Sequence, residues 1–452
     1  MRGRYRLWCR FSFLMMGFLL APYMGRAQEV GREVRIMLPP FLGSADPAQG
    51  SGLSDLFSWC LSRLNRVELI TGREVFQALQ WDLGWRGLST GEATELGRRL
   101  QAQVVLLIRY ALQEGRLSYE VFLGDLRGEI HWRHLSFAGK PWPEAHQLHL
   151  RLAREVLHLL KLPLEASEER RVLAACSHPL PLQQALYLYG QARLKEWGGE
   201  AEGATAIYAR AGEVASGFAL PFFRQGEVFE ILGSRWRAAG AYRRAIQADG
   251  RFVEAYKRLG DLLARSPRRL FEQAVVAYQK AVEIDPDYAE AYVGLADALA
   301  ALGKVDEAVG EYRRGLRVDP WSSRAHLGLA KIYYREKGLF HEAVAEYERA
   351  LTLDPTFLEA QLGLGDLLEE KGLYREAITR YREVLRLKPR HTGALFAIAR
   401  AYERVDVQEA IARWEHYLEV ASEVPSEREW LAIARGHLEK LRGRQEEKAP
   451  TR

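Results

Sequence analysis

Hydrophobic and polar positions in the second half of the chain follow a helical period, and the whole pattern returns about every 34 residues. In the clearest segment, 289–322, the stretches AEAYVGLADALAAL and VDEAVGEYRRGLRV each place apolar residues three or four positions apart, which is the spacing of one helix face. Gly303 separates the two stretches. Asp319-Pro320 ends the segment, because proline suits the first turn of a helix but not its interior. The pattern predicts pairs of helices joined by tight turns.

Three residue types keep one register across these segments, at intervals of 34, 35 and 34 residues. An ordinary helical bundle would explain the apolar stripes but not this shared register. The pattern resembles the tetratricopeptide repeat, a helix–turn–helix unit that stacks into an all-α superhelix. The resemblance implies a concave surface that holds other proteins and rarely carries chemistry. The residues in register are Ala274, Ala308, Ala343, Ala377, Tyr278, Tyr312, Tyr347, Tyr381, Pro286, Pro320, Pro355 and Pro389.

Seven repeats are predicted over residues 185–425. The outer repeats match the pattern less well, as expected of terminal units that face solvent. A capping helix is predicted over residues 426–441. The short charged segment 442–452 is expected to be a disordered tail. The repeats begin near Ala185, Ala219, Val253, Ala289, Ser323, Leu358 and Thr392.

Residues 30–162 do not follow the repeat and predict an α/β domain with a mixed sheet, joined to the repeats by a linker over 163–184. Strands are expected at 34–41 and 67–71, followed by three antiparallel strands in VVLLIRYAL, RLSYEVFLGD and EIHWRHLSF. Helices are expected at 51–64, 73–80, 90–101 and 141–160. Ser51 or Ser54 is the expected N-cap of the first helix.

Four short segments of this domain resemble the TolB-type amino-terminal domain of bacterial proteins. Similar domains stand directly before tetratricopeptide repeats in many bacterial regulators, so the resemblance implies a bacterial protein with a second interaction domain. The segments are Leu38-Pro39-Pro40-Phe41, Gly52-Leu53-Ser54-Asp55-Leu56, Glu95-Leu96-Gly97 and Gly128-Glu129-Ile130-His131-Trp132.

Residues 1–27 have the pattern of a secretory signal peptide. Four arginines precede the apolar run FSFLMMGFLLAPYM, and Gly25-Arg26-Ala27 places small residues at the expected cleavage positions. The apolar run is shorter than the roughly 20 residues that span a membrane. We therefore predict cleavage, export to the periplasm or cell envelope, and no membrane span afterwards. An uncleaved anchor, or a cytoplasmic regulator whose leader is misinterpreted, are the alternatives.

The leader also accounts for the basic charge of the chain. The chain has 64 basic and 59 acidic residues, and five of the arginines lie in the leader, which has no acidic residue. The remaining sequence is formally neutral, so its charge gives no argument for a nucleic-acid partner.

Motifs for catalysis or cofactors are missing from the sequence. It contains no GxxxxGK[ST], HExxH or CxxC pattern, and we predict no enzyme activity, cofactor or metal site. His146 and His149 could share a metal on a predicted helix, but no third ligand stands at a matching position. A buried thiol is expected at Cys60, the alternative being a disulfide with Cys176.

The resemblance to tetratricopeptide repeats also identifies candidate binding residues, because positions five and nine of each first helix point into the groove. The set mixes apolar residues with charges of both signs. It lacks the basic, asparagine-rich clamp that chaperone-binding relatives use for a C-terminal carboxylate, so we predict a helix or extended peptide held by apolar anchors and flanking salt bridges. The alternative is an ordinary solvated face. The candidates are Lys257, Asp261, Val293, Asp297, Leu327, Lys331, Leu362, Asp366, Phe396 and Arg400.

Together, the leader, the repeats and the missing catalytic motifs predict a non-enzymatic scaffold or adaptor of the bacterial cell envelope. The α/β domain would bind one protein partner and the repeats another. The alternative is an envelope enzyme or glycan-binding protein with its site in the first domain. In that case some of the tryptophans there would form an exposed sugar platform rather than core; they are Trp81, Trp85, Trp132 and Trp142.

Overall fold

The chain divides into two compact units, Met1–Leu262 and Leu263–Arg452. The predicted signal peptide and Cys176 lie outside the described residues, whereas Cys60 is a buried thiol. The computed structural model describes residues 34–39, 41–43, 47–62, 67–70, 74–75, 78, 88–114, 116–126, 131–141, 144, 146–160, 170, 172, 181–266 and 270–448.

A mixed sheet opens the first unit. Its main path has the order β3-β1-β4-β5-β6, and the short β2 pairs with β4. β1 runs parallel to β3 and β4, while β4, β5 and β6 are antiparallel neighbours, which confirms the predicted sheet. The strands are β1 Val34–Met37, β2 Leu42–Gly43, β3 Val67–Ile70, β4 Val104–Gln113, β5 Arg116–Asp125 and β6 His131–Pro141.

Three helices accompany the sheet: α1 Pro47–Leu61, α2 Thr90–Arg99 and α3 His146–Leu160. Ser89 and Glu92 form a capping box at the start of α2, which satisfies two backbone N–H groups that a helix start leaves open. The expected N-caps of α1 are wrong. Ser51 and Ser54 lie buried inside the helix, where their hydroxyls donate to backbone carbonyls, because α1 begins earlier, at Pro47, and proline favours the first turn.

Within the described residues, fifteen helices follow α3, in the predicted order of an α/β domain and then an all-α series. Their lengths and spacing match the helix pairs expected from the repeat pattern. They are α4 Gln183–Trp197, α5 Ala201–Val214, α6 Leu220–Ile231, α7 Arg235–Ala248, α8 Val253–Ala264, α9 Phe271–Ile284, α10 Ala289–Ala301, α11 Val305–Val318, α12 Ser323–Arg335, α13 Phe340–Leu353, α14 Leu358–Glu370, α15 Tyr374–Leu387, α16 Thr392–Tyr402, α17 Val407–Ala421 and α18 Arg428–Lys448.

Local backbone and side-chain interactions explain the turns between the helices of the repeats. Gly303 has φ +77° between α10 and α11, a left-handed conformation that glycine adopts without steric cost. Between α9 and α10, Asp285 Oδ1 accepts the backbone N–H of Asp287 at 3.0 Å, the local turn that aspartate side chains favour. In the same way, Asp249 Oδ1 accepts the backbone N–H of Arg251 at 2.9 Å, at the turn formed by Asp249-Gly250. The aspartate therefore matters to the turn even where the proline is missing.

The final helix extends beyond the predicted cap. It was expected to end at Leu441, but α18 continues to Lys448. Arg442 pairs with Glu415 on α17 at 2.6 Å, and the sequence that follows is rich in Glu, Gln, Arg and Lys, which favour helix without needing burial. The charged composition was thus compatible with a helix as well as with a tail.

In the first unit, α1 packs tightly against α4, the first helix of the first repeat. A Cβ at Gly190 would lie 1.6 Å from the Ala48 carbonyl oxygen, and one at Gly52 would lie 2.9 Å from the Leu186 carbonyl oxygen. The Ser51 hydroxyl also donates to the Gly190 carbonyl at 3.1 Å. Because both helices carry glycine at the contact, their backbones can approach closely.

Candidate functional site

Tyrosine–glycine packing places the first helices of successive repeats side by side in the second unit. Gly294 lies against the ring of Tyr278, and a Cβ at Gly328 would come within 2.2 Å of the ring of Tyr312. These contacts leave no room for a larger residue on the first helix. As a result, α10 contacts α12, α12 contacts α14, and α14 contacts α16. The face that these four first helices share is the candidate groove.

The predicted apolar lining residues differ in how far solvent reaches them. Val293 and Leu327 are buried, whereas Leu362 and Phe396 are half-buried. An incoming side chain can therefore contact apolar surface on α14 and α16 more readily than on α10 and α12. The charged residues at position nine are all half-buried or exposed; they are Asp297, Lys331, Asp366 and Arg400.

Ion pairs connect position nine of one first helix to position two of the next. Asp297 Oδ2 lies 2.7 Å from the Arg324 guanidinium, and Lys331 Nζ lies 2.8 Å from Glu359. Both pairs are partly exposed, and such pairs contribute only about 0–1 kcal/mol each. These ion pairs determine where charges lie along the groove, but they add little to the stability of the fold.

We call the contact between two successive first helices a junction. The third junction, between α14 and α16, lacks an ion pair between positions nine and two. Position two of the last repeat is Gly393, so no side chain there can pair with Asp366. Arg400 instead makes two bonds to the carboxylate of Glu369, at 2.6 and 3.0 Å. Tyr381 donates its hydroxyl to Asp366 at 2.8 Å and to Glu369 at 2.9 Å. Asp366 is exposed, and among the described residues no cation forms an ion pair with it.

An aromatic cluster borders this junction. The Phe396 ring meets Trp414, Tyr417 and Trp430 edge-on, with centroids 4.9, 5.3 and 5.4 Å away, the geometry that aromatic pairs prefer. Trp414 and Tyr417 are fully buried, but Trp430, on α18, remains 48 % exposed. The cap helix therefore adds an accessible indole to the end of the groove, which the repeat pattern did not indicate.

In the first unit, the predicted pair on α8 is largely closed to partners. Lys257 Nζ and Asp261 Oδ2 lie 2.9 Å apart, one helical turn from each other. Asp261 is only 7 % exposed. The two charges neutralise each other within one helix, so these two candidates contribute less accessible charge than those of the second unit.

Sequence reasoning missed a buried ionic cluster that joins α1 to the first two repeats. Asp55 is 3 % exposed and lies 2.8 Å from the Arg193 guanidinium and 3.3 Å from that of Arg224. Tyr189 also donates its hydroxyl to this carboxylate. Burial alone would raise the pKa of Asp55, but the charges of Arg193 and Arg224 and the bond from Tyr189 outweigh it and hold the pKa below its usual value.

The histidine considered as a metal ligand is a core residue. His149 is 2 % exposed, and a hydrogen bond of 2.7 Å joins its Nε2 to the Tyr119 hydroxyl. Burial, with a small contribution from His146, lowers the pKa of His149 from 6.5 to about 3. Its imidazole is therefore neutral at neutral pH. In the described ranges no three His, Cys, Asp or Glu side chains group as a metal site requires.

Of the tryptophans considered for a sugar platform, the structure describes Trp132. Trp132 is half-buried and packs against the core formed around Met37, Ile70 and Val105. Trp81, Trp85 and Trp142 lie outside the described residues.

No helix within the described residues is both long enough and apolar enough to cross a bilayer.

Comparisons with known proteins agree with the repeat interpretation. Models of the tetratricopeptide repeat match residues 269–332, 334–372 and 362–423. The chain has no match among curated proteins.

Solved structures similar to this chain include MamA, at 26 % identity over 36 % of this chain and 94 % of that one, with a TM-score of 0.32. A thermophilic tetratricopeptide repeat protein of Thermus thermophilus is 23 % identical over 41 % and 99 %, with a TM-score of 0.36. PilF of Pseudomonas aeruginosa is 17 % identical over 48 % and 97 %, with a TM-score of 0.42. These scores are low, so the family matches and the helix pairs carry the assignment. The helices over residues 269–423 therefore match tetratricopeptide repeats.

Proposed function

We propose that this protein is a non-enzymatic scaffold that holds a segment of a partner protein against the first helices of its later repeats. Tetratricopeptide repeats generally serve as interaction scaffolds. The observation that carries the proposal is the surface of α14 and α16, where the half-buried Leu362 and Phe396 lie among charged side chains that solvent reaches. Apolar anchors beside exposed charges suit a helix or an extended peptide.

The proposal includes export to the bacterial periplasm or cell envelope. It is supported by the basic, apolar and small-residue regions of residues 1–27. The TolB-like domain would then bind a second envelope protein. If export occurs, N-terminal sequencing of the protein from an envelope fraction should begin at Gln28; a protein that retains Met1 contradicts cleavage.

We expect Leu362→Glu to weaken partner binding by about tenfold or more, because a charge would replace an apolar anchor at the contact. The matched control is Val276→Glu. Val276 is 59 % exposed on α9, a second helix, outside the candidate face. The measurement is quantitative crosslinking and mass spectrometry with wild-type and variant full-length proteins in envelope fractions of the source cells.

A partner that is lost with Leu362→Glu and kept with Val276→Glu supports the groove as the binding site. If every crosslinked protein is kept equally by both variants, the groove is not the binding site and the proposal fails. Thermal unfolding of both variants ensures that the loss is not caused by misfolding.

A further inference from the structure

The last groove junction differs from the two before it in one specific way: an acid is present and its partner cation is missing. At the earlier junctions, Asp297 pairs with Arg324 at 2.7 Å and Lys331 pairs with Glu359 at 2.8 Å. At the equivalent place beside Asp366, the chain has Gly393. The repeat symmetry therefore leaves a carboxylate exposed to the groove where a cation would otherwise lie.

Arg400, on the adjoining helix α16, does not act as the partner cation of Asp366. Both guanidinium bonds of Arg400 go to Glu369, so Arg400 acts on Asp366 only from a distance. The hydroxyl of Tyr381 holds the Asp366 carboxylate in place without neutralising it. Partial burial raises the pKa of Asp366 against the opposing effects of Tyr381, Arg400 and Arg335.

The helices that follow α14 carry an apolar contact surface. Phe396 is one helical turn from Arg400 on α16 and half-buried, and the Trp430 ring meets it at 5.4 Å. Trp430 is 48 % exposed and Ile433, on the next turn of α18, is 45 % exposed. A Cβ at Gly393 would lie 3.4 Å from the His391 ring, so that ring borders the position. Asp366 on α14, Phe396 on α16 and Trp430 on α18 thus lie on three helices at the end of the groove.

We propose that this junction is a subsite for a basic side chain, an arginine or lysine next to an apolar residue in the bound segment of the partner protein. The cation pairs with Asp366 at the junction where Gly393 supplies no charged side chain, and the neighbouring apolar residue contacts Phe396 and Trp430. The inference rests on the proposed function and names the chemistry that this part of the groove selects. It also fits the absence of a basic clamp among the groove residues.

The test is a double comparison of peptide charge and protein charge. The full-length protein is first exposed to an array of short synthetic peptides of varied sequence, and the affinity of retained peptides is then measured by fluorescence anisotropy. We expect the retained peptides to be enriched in Arg or Lys next to an apolar residue. Replacing that Arg by neutral citrulline should weaken binding to the wild type by about tenfold, since a hydrogen bond to a charged group is lost.

Asp366→Asn should weaken binding of the arginine peptide by a similar factor and leave binding of the citrulline peptide unchanged. The asparagine keeps an acceptor for the Tyr381 hydroxyl, so the substitution removes only the charge. The matched control is Glu348→Gln, an exposed acid on α13, a second helix, which should change neither affinity. Gly393→Arg should also weaken the arginine peptide, because it supplies from within the chain the cation that Arg324 supplies to Asp297. Gly310→Arg adds the same charge where no other atom lies within 4 Å of the position and should have no effect.

The outcomes separate this inference from the function on which it rests. If Leu362→Glu abolishes peptide binding but Asp366→Asn and citrulline have no coupled effect, the groove binds peptides and the basic subsite is wrong. If the retained peptides show no preference for Arg or Lys, the subsite is wrong as well. If no peptide is bound, or Leu362→Glu has no effect, the proposed function and the inference both fail.

Discussion

Asp55→Ala is expected to lower the free energy of unfolding of the first unit by about 3–5 kcal/mol, because removing one member of a buried ion pair leaves the other charges unpaired. Arg193 and Arg224 would keep bonds to Glu196 and Glu227, both at 2.8 Å, but would lose the acid that joins them. Urea unfolding followed by circular dichroism measures the change. The loss should be confined to the transition of the unit that contains α1 and α4.

Two comparisons make this prediction specific. Glu68→Ala removes an acid from the exposed pair with Arg35, at 2.8 Å, and should cost at most about 1 kcal/mol. Combining Asp55→Leu with Arg193→Met should recover part of the loss caused by Asp55→Leu alone, since apolar replacement of both charges removes the unpaired guanidinium. If Asp55→Ala costs no more than Glu68→Ala, the cluster does not fasten α1 to the repeats.

The repeats were predictable because their contacts recur locally. The register of the tyrosines corresponds to a recurring contact of the ring with a glycine of the next first helix, as in Tyr278–Gly294, Tyr312–Gly328 and Tyr347–Gly363. The order of sheet and helices was predictable for the same reason, since alternation and helical period are set by neighbouring residues. The pairs Asp297–Arg324 and Lys331–Glu359 could also have been found, because opposite charges stand at positions nine and two of successive repeats.

Other features depend on residues far apart in the chain. No residue near Asp55 in sequence indicates that Arg193 and Arg224 will surround it, so a charge in the core could not be expected there. The N-caps proposed at Ser51 and Ser54 failed because burial against α4 and the strands decided their roles, with Ser51 donating to the Gly190 carbonyl. The accessible Trp430 was missed because it lies on the cap helix, outside the repeat pattern that identified the groove.

Acid should destabilise the first unit through His149, well above the pH at which carboxylates titrate. The pKa of His149 is lowered from 6.5 to about 3 in the folded protein, so between these values the unfolded chain binds a proton that the folded protein does not. Stability should therefore be unaffected above pH 6.5. It should fall by about 1.4 kcal/mol per pH unit as the pH decreases through this window, to a total of roughly 4–5 kcal/mol near pH 3.

The measurement is urea unfolding at a series of pH values, with His149→Gln as the matched variant. Glutamine keeps a polar group within reach of Tyr119 but cannot take up a proton, so it should lose the slope between pH 6.5 and about 4. Asp55 provides an internal reference, because a carboxyl whose folded pKa is depressed loses its contribution only as the pH falls from about 3.9 through its folded value. Equal slopes in wild type and variant above pH 4 would contradict the burial of a neutral His149. A slope that disappears in the variant would show that the core around Tyr119 forms only with this imidazole uncharged.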